Sequence, residues 1–115
     1  MAVVIYHNPR CSKSRETLAL LEAKGAKPKV VEYLKAPPSA VELKSILKKL
    51  GLAPRELMRR KEPPYAALKL DNPKLSDDAL VKAMVDNPVL IERPIVVNGA
   101  KAALGRPPEN ALKIL

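Results

Sequence analysis

One cysteine carries most of the chemistry this sequence offers. Cys11 is the single cysteine among 115 residues. It lies in the polar run His7-Asn8-Pro9-Arg10-Cys11-Ser12-Lys13-Ser14-Arg15. Asn-Pro favours a turn, and a helical pattern begins directly after it, so Cys11 is expected at a helix N-terminus. Unpaired N–H groups and the positive end of the helix dipole collect there. Both favour the thiolate, the nucleophilic form of the side chain. Arg10, Arg15 and His7 are each placed to add positive charge or a hydrogen bond. Ser14 is expected to reach Cys11 within the first turn. For His7 a structural or hydrogen-bonding role outweighs acid–base catalysis. A free cysteine is often buried and inert, but the polar neighbours here favour a reactive, accessible sulfur.

The spacing also excludes chemistry. Cys-Ser-Lys-Ser is not Cys-X-X-Cys, and no second sulfur exists to resolve an intermediate, so a dithiol cycle within the chain is ruled out. The phosphate loop of cysteine phosphatases needs an arginine where Thr17 stands. One cysteine and one histidine without clustered carboxylates do not make a zinc site. No metal and no bound cofactor are expected.

The formal net charge of +9 raises nucleic acid, a membrane surface or a small anion as partners. The basic residues are dispersed, with short clusters only at Lys48-Lys49 and Arg59-Arg60-Lys61. Three Tyr are the only aromatics, too few for a base-stacking platform. Nucleic acid is therefore not expected as a partner. No apolar window approaches the roughly 18 residues of a membrane span, and the N-terminus has no basic leader or long apolar stretch. A lone cysteine argues against a disulfide-stapled secreted scaffold. The expectation is a cytoplasmic protein off the membrane.

The elements that must position Cys11 follow from the hydrophobic pattern. Ala2 to Tyr6 is an apolar, β-branched run and is predicted to be a buried strand. His7 to Arg10 is a predicted turn. Ser12 to Lys24 is predicted to be a helix, with Gly25 where a helix stop is wanted. Pro28 to Leu34 is a second predicted strand. Ser39 with Glu42 is a capping-box pattern, and the helix it opens runs to Gly51. Pro54 is suited to the first turn of a short helix carrying Leu57 and Met58. Ser76 opens another helix, closed at Asp86-Asn87-Pro88. Ile95 to Val97 is a short strand, Asn98-Gly99 a hairpin signal, and Ala102 to Leu104 the returning strand. Pro107-Pro108-Glu109 begins a C-terminal helix. A β-α-β unit and a β-β-α unit with helices between them is the layout of a thioredoxin-like mixed sheet. A single domain over 1–115 is predicted, with a helical insertion at roughly 39–88.

The segment Ile5 to Arg15 resembles the active-site signature of the glutaredoxin-coupled arsenate reductases. The resemblance continues through Tyr33-Leu34, Pro37-Pro38, Arg59, Glu62-Pro63-Pro64-Tyr65, Glu92-Arg93-Pro94-Ile95-Val96-Val97 and Arg106-Pro107. It covers nearly the whole chain, in order. It implies a thioredoxin- or glutaredoxin-like fold with a helical insertion. It implies that Cys11 attacks arsenate to form a thiol-bound arsenic adduct, with glutathione as co-substrate and glutaredoxin completing the reduction to arsenite. It maps the anion-binding arginines onto Arg59, Arg93 and Arg106, with Arg60 an alternative to its neighbour. It maps supporting roles onto His7, Ser14, Arg15 and Pro94, with a cis Arg93–Pro94 bond beside the cysteine. Physics points the same way: guanidinium forks suit a tetrahedral oxyanion, and a dianion meeting a thiolate needs several cations. Ser12 and Lys13 are bulkier and more charged than the small residues associated with that signature. Two other readings compete. A relative of the Spx regulators usually carries Cys-X-X-Cys, and a monothiol glutaredoxin has no need of three arginines. A monomer is expected.

Overall fold

The computed structural model describes residues 3–115; Ala2, the predicted first strand residue, lies outside them. The chain forms two compact units. One runs to Ala36 and resumes at Arg93–Leu115; the other is Pro37–Glu92.

In the first unit the β-branched run forms β1, Val3–His7. A helix follows, α1, Ser12–Ala23. Then come β2, Lys29–Glu32, β3, Ile95–Asn98, and β4, Lys101–Leu104. A 3-10 helix, Pro108–Ile114, ends the chain. Among the described residues the sheet order is β2-β1-β3-β4. β1 and β2 are parallel and the other pairs antiparallel. This is the thioredoxin-like mixed sheet the pattern predicts. Its core joins Ile5 of β1, Leu21 of α1, Val96 of β3 and Ala111 of the last helix, all completely buried, with Val3, Leu18, Ala26 and Ile114 against them. Burying an aliphatic side chain of this kind contributes about 1.5–3 kcal/mol. These side chains therefore fasten α1, and the cysteine at its head, to the sheet.

Register decides what gathers at one end of that sheet. His7 pairs with Glu32, Tyr6 pairs with Ile95, and Ile95 pairs with Leu104. The end of β1, the start of β3 and the end of β4 therefore lie side by side. The residues just beyond them, Arg93-Pro94 and Gly105-Arg106, leave the sheet at the end where β1 hands over to the Cys11 loop.

Several predicted boundaries move. His7 belongs to β1, because its ladder with β2 extends to Glu32. The hairpin turn is Gly99-Ala100, not Asn98-Gly99: Asn98 already pairs with Lys101, and Gly99 takes the positive φ of +62°. Asn98 also donates through Nδ2 to the Ile114 carbonyl at 2.6 Å. Gly25, at φ +82°, follows the last residues of α1 as a left-handed stop. The C-terminal segment is a 3-10 rather than an α-helix. Pro107 and Pro108 bring no N–H donors to its start, and the next bond is the short Asn110 N to Pro107 O contact of 3.0 Å.

The second unit is helical. α2, Ala40–Leu50, has the predicted capping box, with Glu42 N donating to Ser39 Oγ at 3.1 Å, and ends at Gly51 in left-handed conformation. A 3-10 turn, Pro54–Leu57, follows. The sequence pattern missed α3, Pro63–Ala67, because two adjacent prolines look like a break, although the first helical turn tolerates both. α4 is Asp77–Asp86, capped by Ser76, and Pro88–Leu90 forms a second 3-10 turn. Leu43, Ile46 and Leu47 of α2 are buried, as are Leu80, Val81 and Met84 of α4. Arg55 ties the loop after α3 through the carbonyls of Leu70 and Asn72. The unit extends past the predicted 39–88 because Met58 bridges to Ile91 and Glu92 N donates to Leu57 O at 2.9 Å.

Candidate active site

Cys11 is the N-cap of α1, in extended conformation at φ −92° and ψ 122°. Its N–H donates to Asn8 O at 3.0 Å, and its carbonyl accepts the first helical bond from Arg15 N, also at 3.0 Å. The residue is 8% exposed. Its neighbours Ser12 and Lys13 are exposed, so the polar flanks predicted its surroundings and overstated its own accessibility.

The loop before Cys11 is built from its own side chains. Asn8 Oδ1 accepts from Arg10 N at 3.0 Å, a local turn that asparagine favours. Arg15 Nη1 donates to Pro9 O at 2.9 Å. Asn8 N donates to Ser14 Oγ at 3.0 Å, and Ser14 Oγ lies 2.6 Å from His7 Nδ1. The predicted Ser14–Cys11 contact gives way to this one: the hydroxyl faces back to β1, where a buried imidazole and a backbone N–H need partners. The hydroxyl thus joins the imidazole to the backbone of the Cys11 loop through two hydrogen bonds. Burial pushes the His7 pKa below its ordinary value of 6.5, against an upward pull from Glu32 and with a smaller push from Arg15. His7 thus supplies a hydrogen bond at neutral pH and not a positive charge.

Two of the three arginines share this unit. Gly105 N donates to Pro94 O at 3.0 Å, one step beyond the β3–β4 ladder. Arg106 Nη1 donates to the Arg93 carbonyl at 3.3 Å. The Nε and Nη1 atoms of Arg93 are shielded from solvent, whereas Arg106 is exposed. Pro94 is buried, and the Arg93–Pro94 and Arg106–Pro107 bonds are both cis. Arg93 and Arg106 therefore stand together at the sheet end that carries the Cys11 loop. Guanidinium groups are suited by their paired donors to a tetrahedral oxyanion.

Arg59 belongs to the second unit. Its Nη1 lies 2.6 Å from Glu62 Oε1 and its Nε 3.8 Å from Glu92 Oε1. Its backbone N donates to Leu90 O at 2.7 Å. Arg60 next to it is exposed. The two carboxylates hold the Arg59 fork in a fixed direction. Glu62 and Glu92 stand in motif segments whose residue pattern does not reveal that role. The sequence pattern also missed Asn8, Thr17 and Gly105, although a polar residue inside an apolar helix face and a glycine next to a motif arginine were available as signals. Among the described residues no group of three or more His, Cys, Asp or Glu is placed to hold a metal ion. No helix among them is long and apolar enough to cross a membrane.

Comparison with known proteins gives a consistent result. The ArsC family model matches residues 6–114. An arsenate reductase of Haemophilus influenzae is 57% identical over 116 residues, covering 100% of both chains. The protein YfgD of Escherichia coli K12, described as uncharacterized, is 58% identical, covering 98% of this chain and 96% of its own. A solved structure of an arsenate reductase from Vibrio cholerae superposes with a TM-score of 0.97 at 58% identity, covering 100% of this chain and 98% of that one.

Proposed function

The chain belongs to the ArsC family, and from that premise we propose that it reduces arsenate to arsenite, with Cys11 as nucleophile and glutathione and glutaredoxin as reductants. The observation that carries the reading is the lone cysteine at the head of α1, on the sheet end that also bears Arg93 and Arg106. The Cys11 thiolate attacks arsenic(V) and an oxygen leaves as water, forming a sulfur–arsenic bond. Arg93 and Arg106 bind the remaining oxygens and offset the repulsion between two anions. Arg59, the third arginine the resemblance assigns to the anion, lies in the other unit and is ion-paired there with Glu62 and Glu92.

The electron count requires thiols from outside. Arsenic(V) becomes arsenic(III) by taking two electrons, and two thiols become one disulfide as they supply them. This chain has one sulfur to offer. Glutathione displaces a second oxygen as water and joins its sulfur to the Cys11-bound arsenic(V). A thiol of glutaredoxin or a second glutathione then attacks that glutathione sulfur, forming the disulfide while the electron pair of the broken sulfur–arsenic bond stays on arsenic(III). Water cleaves the Cys11–arsenic bond to release arsenite and the free thiol. Balanced, one arsenic acid and two thiols give one arsenous acid, one disulfide and one water. A free thiol and a glutathione-dependent cycle belong in the reducing cytoplasm, and nothing in the cycle needs a second copy of the chain.

The test is arsenite release from arsenate in the presence of glutathione and glutaredoxin. Arg93→Ala and Arg106→Ala should each lower kcat/KM by roughly ten- to a hundredfold, the equivalent of the ~1.5–3 kcal/mol of a charged hydrogen bond. Arg→Lys at either position should restore only part of that, since lysine keeps the charge and loses the fork. Absence of arsenite from the wild-type reaction removes the proposal. Indifference to both alanine substitutions removes the two arginines from the site.

A further inference from the structure

We infer that Thr17 is a positioning residue that holds the Arg93–Arg106 pair at a fixed place relative to Cys11, acting through Gly105. The inference deepens the arsenate reductase reading and rests on it. Thr17 is completely buried and lies less than two turns along α1 from Cys11, at ~3.6 residues per turn. Its hydroxyl has a single hydrogen. A threonine inside a helix commonly donates to the carbonyl four residues back, and Thr17 does so to Lys13 O at 2.8 Å. That bond alone would be ordinary.

The second acceptor is what sets Thr17 apart. Gly105 O lies 3.3 Å from the same hydroxyl, 88 positions away in sequence. There is no slack across this contact. A Cβ on Gly105 would stand 2.7 Å from Pro94 Cγ and 2.9 Å from Thr17 Cγ2, so the helix and the strand end are in direct register. Gly105 N then donates to Pro94 O, and its neighbour Arg106 donates to Arg93 O. A continuous path of bonds and close contacts thus runs from the helix that carries the nucleophile to both cations. Thr17 touches neither the sulfur nor a guanidinium in this path. Its part is to key α1 against the residues between the two arginines. Without the hydroxyl the Gly105 carbonyl loses that anchor, and a small shift of the residues beside it holds the oxyanion out of line with Cys11.

The test compares Thr17→Val, which keeps the shape and removes the hydroxyl, with Thr17→Ser, which keeps the hydroxyl. Three quantities are read: KM for arsenate, alkylation of Cys11 by iodoacetamide, and the protection arsenate gives against that alkylation. Thr17→Val should raise KM by about ten- to a hundredfold, the scale expected of a small misplacement in a positioned site, and weaken protection to match. Alkylation without arsenate should stay within about twofold of wild type, because the Cys11 loop is built from His7, Asn8, Ser14 and Arg15. Thr17→Ser should restore KM and protection. A Thr17→Val protein with unchanged KM overturns the inference, as does a loss that Thr17→Ser fails to recover. If Thr17→Val does not fold, Thr17→Ala replaces it in the same comparison, and loss of fold in both reduces Thr17 to a stability element and overturns the inference. Wild-type protein with neither turnover nor arsenate protection would instead sink the arsenate reading beneath it.

Discussion

His7 holds the Cys11 loop together as a neutral hydrogen-bonding group, and that state depends on pH. Its pKa in the folded chain lies below the ordinary 6.5, chiefly because it is buried. Between the lowered value and 6.5 the unfolded chain binds the proton and the folded chain does not, so stability increases with pH in this window. The contribution is complete above 6.5, is lost as pH falls, and is gone below the folded pKa. Unfolding of wild type and His7→Gln by denaturant at a series of pH values should show a steeper slope just below pH 6.5 in wild type. Equal slopes would mean that His7 is not the group responsible. The sequence exposed the residue and its nearness to Cys11. It did not expose the Ser14 hydroxyl that joins the imidazole to Asn8 N.

At the scale of elements, local signals were legible and long-range ones were not. The Ser39–Glu42 capping box could be read directly, because its bonds lie within four residues. Ser39→Ala should destabilise the helical unit by about 0.5–2 kcal/mol in chemical denaturation, with no change expected in Cys11 alkylation. The hairpin turn was misplaced by one residue, since Asn-Gly is the stronger local signal and pairing of Asn98 with Lys101 overrides it. The Thr17–Gly105 contact was invisible, because it joins two ends of the sequence that only the fold brings together. Gly105→Ala should cost about 1–3 kcal/mol through overpacking against Thr17 and Pro94. In a Thr17→Ala background the same change should cost less, since the threonine atoms that crowd the new methyl are gone. Additive costs in that double-mutant cycle would show that the crowding is relieved elsewhere.

For the whole molecule, composition excluded more than it identified. A formal net charge of +9 fits an anionic substrate and raises its encounter rate, but dispersed lysines do not locate the site. The three arginines proposed for the anion are legible because each stands in a motif beside Pro or Tyr: Arg59 before Glu62-Pro63-Pro64-Tyr65, Arg93 before Pro94, and Arg106 before Pro107. The sheet register then places Arg93 and Arg106 with the Cys11 loop, a fact that spacing alone could not supply. Cys11→Ser replaces the one thiol with a hydroxyl of similar size at the same N-cap. Arsenite release should be measured for wild type and this variant with arsenate, glutathione and glutaredoxin, alongside circular dichroism to establish that both are folded. Wild type should release arsenite and a folded Cys11→Ser none above the protein-free background; turnover near the wild-type rate in that variant would mean that Cys11 is not the nucleophile.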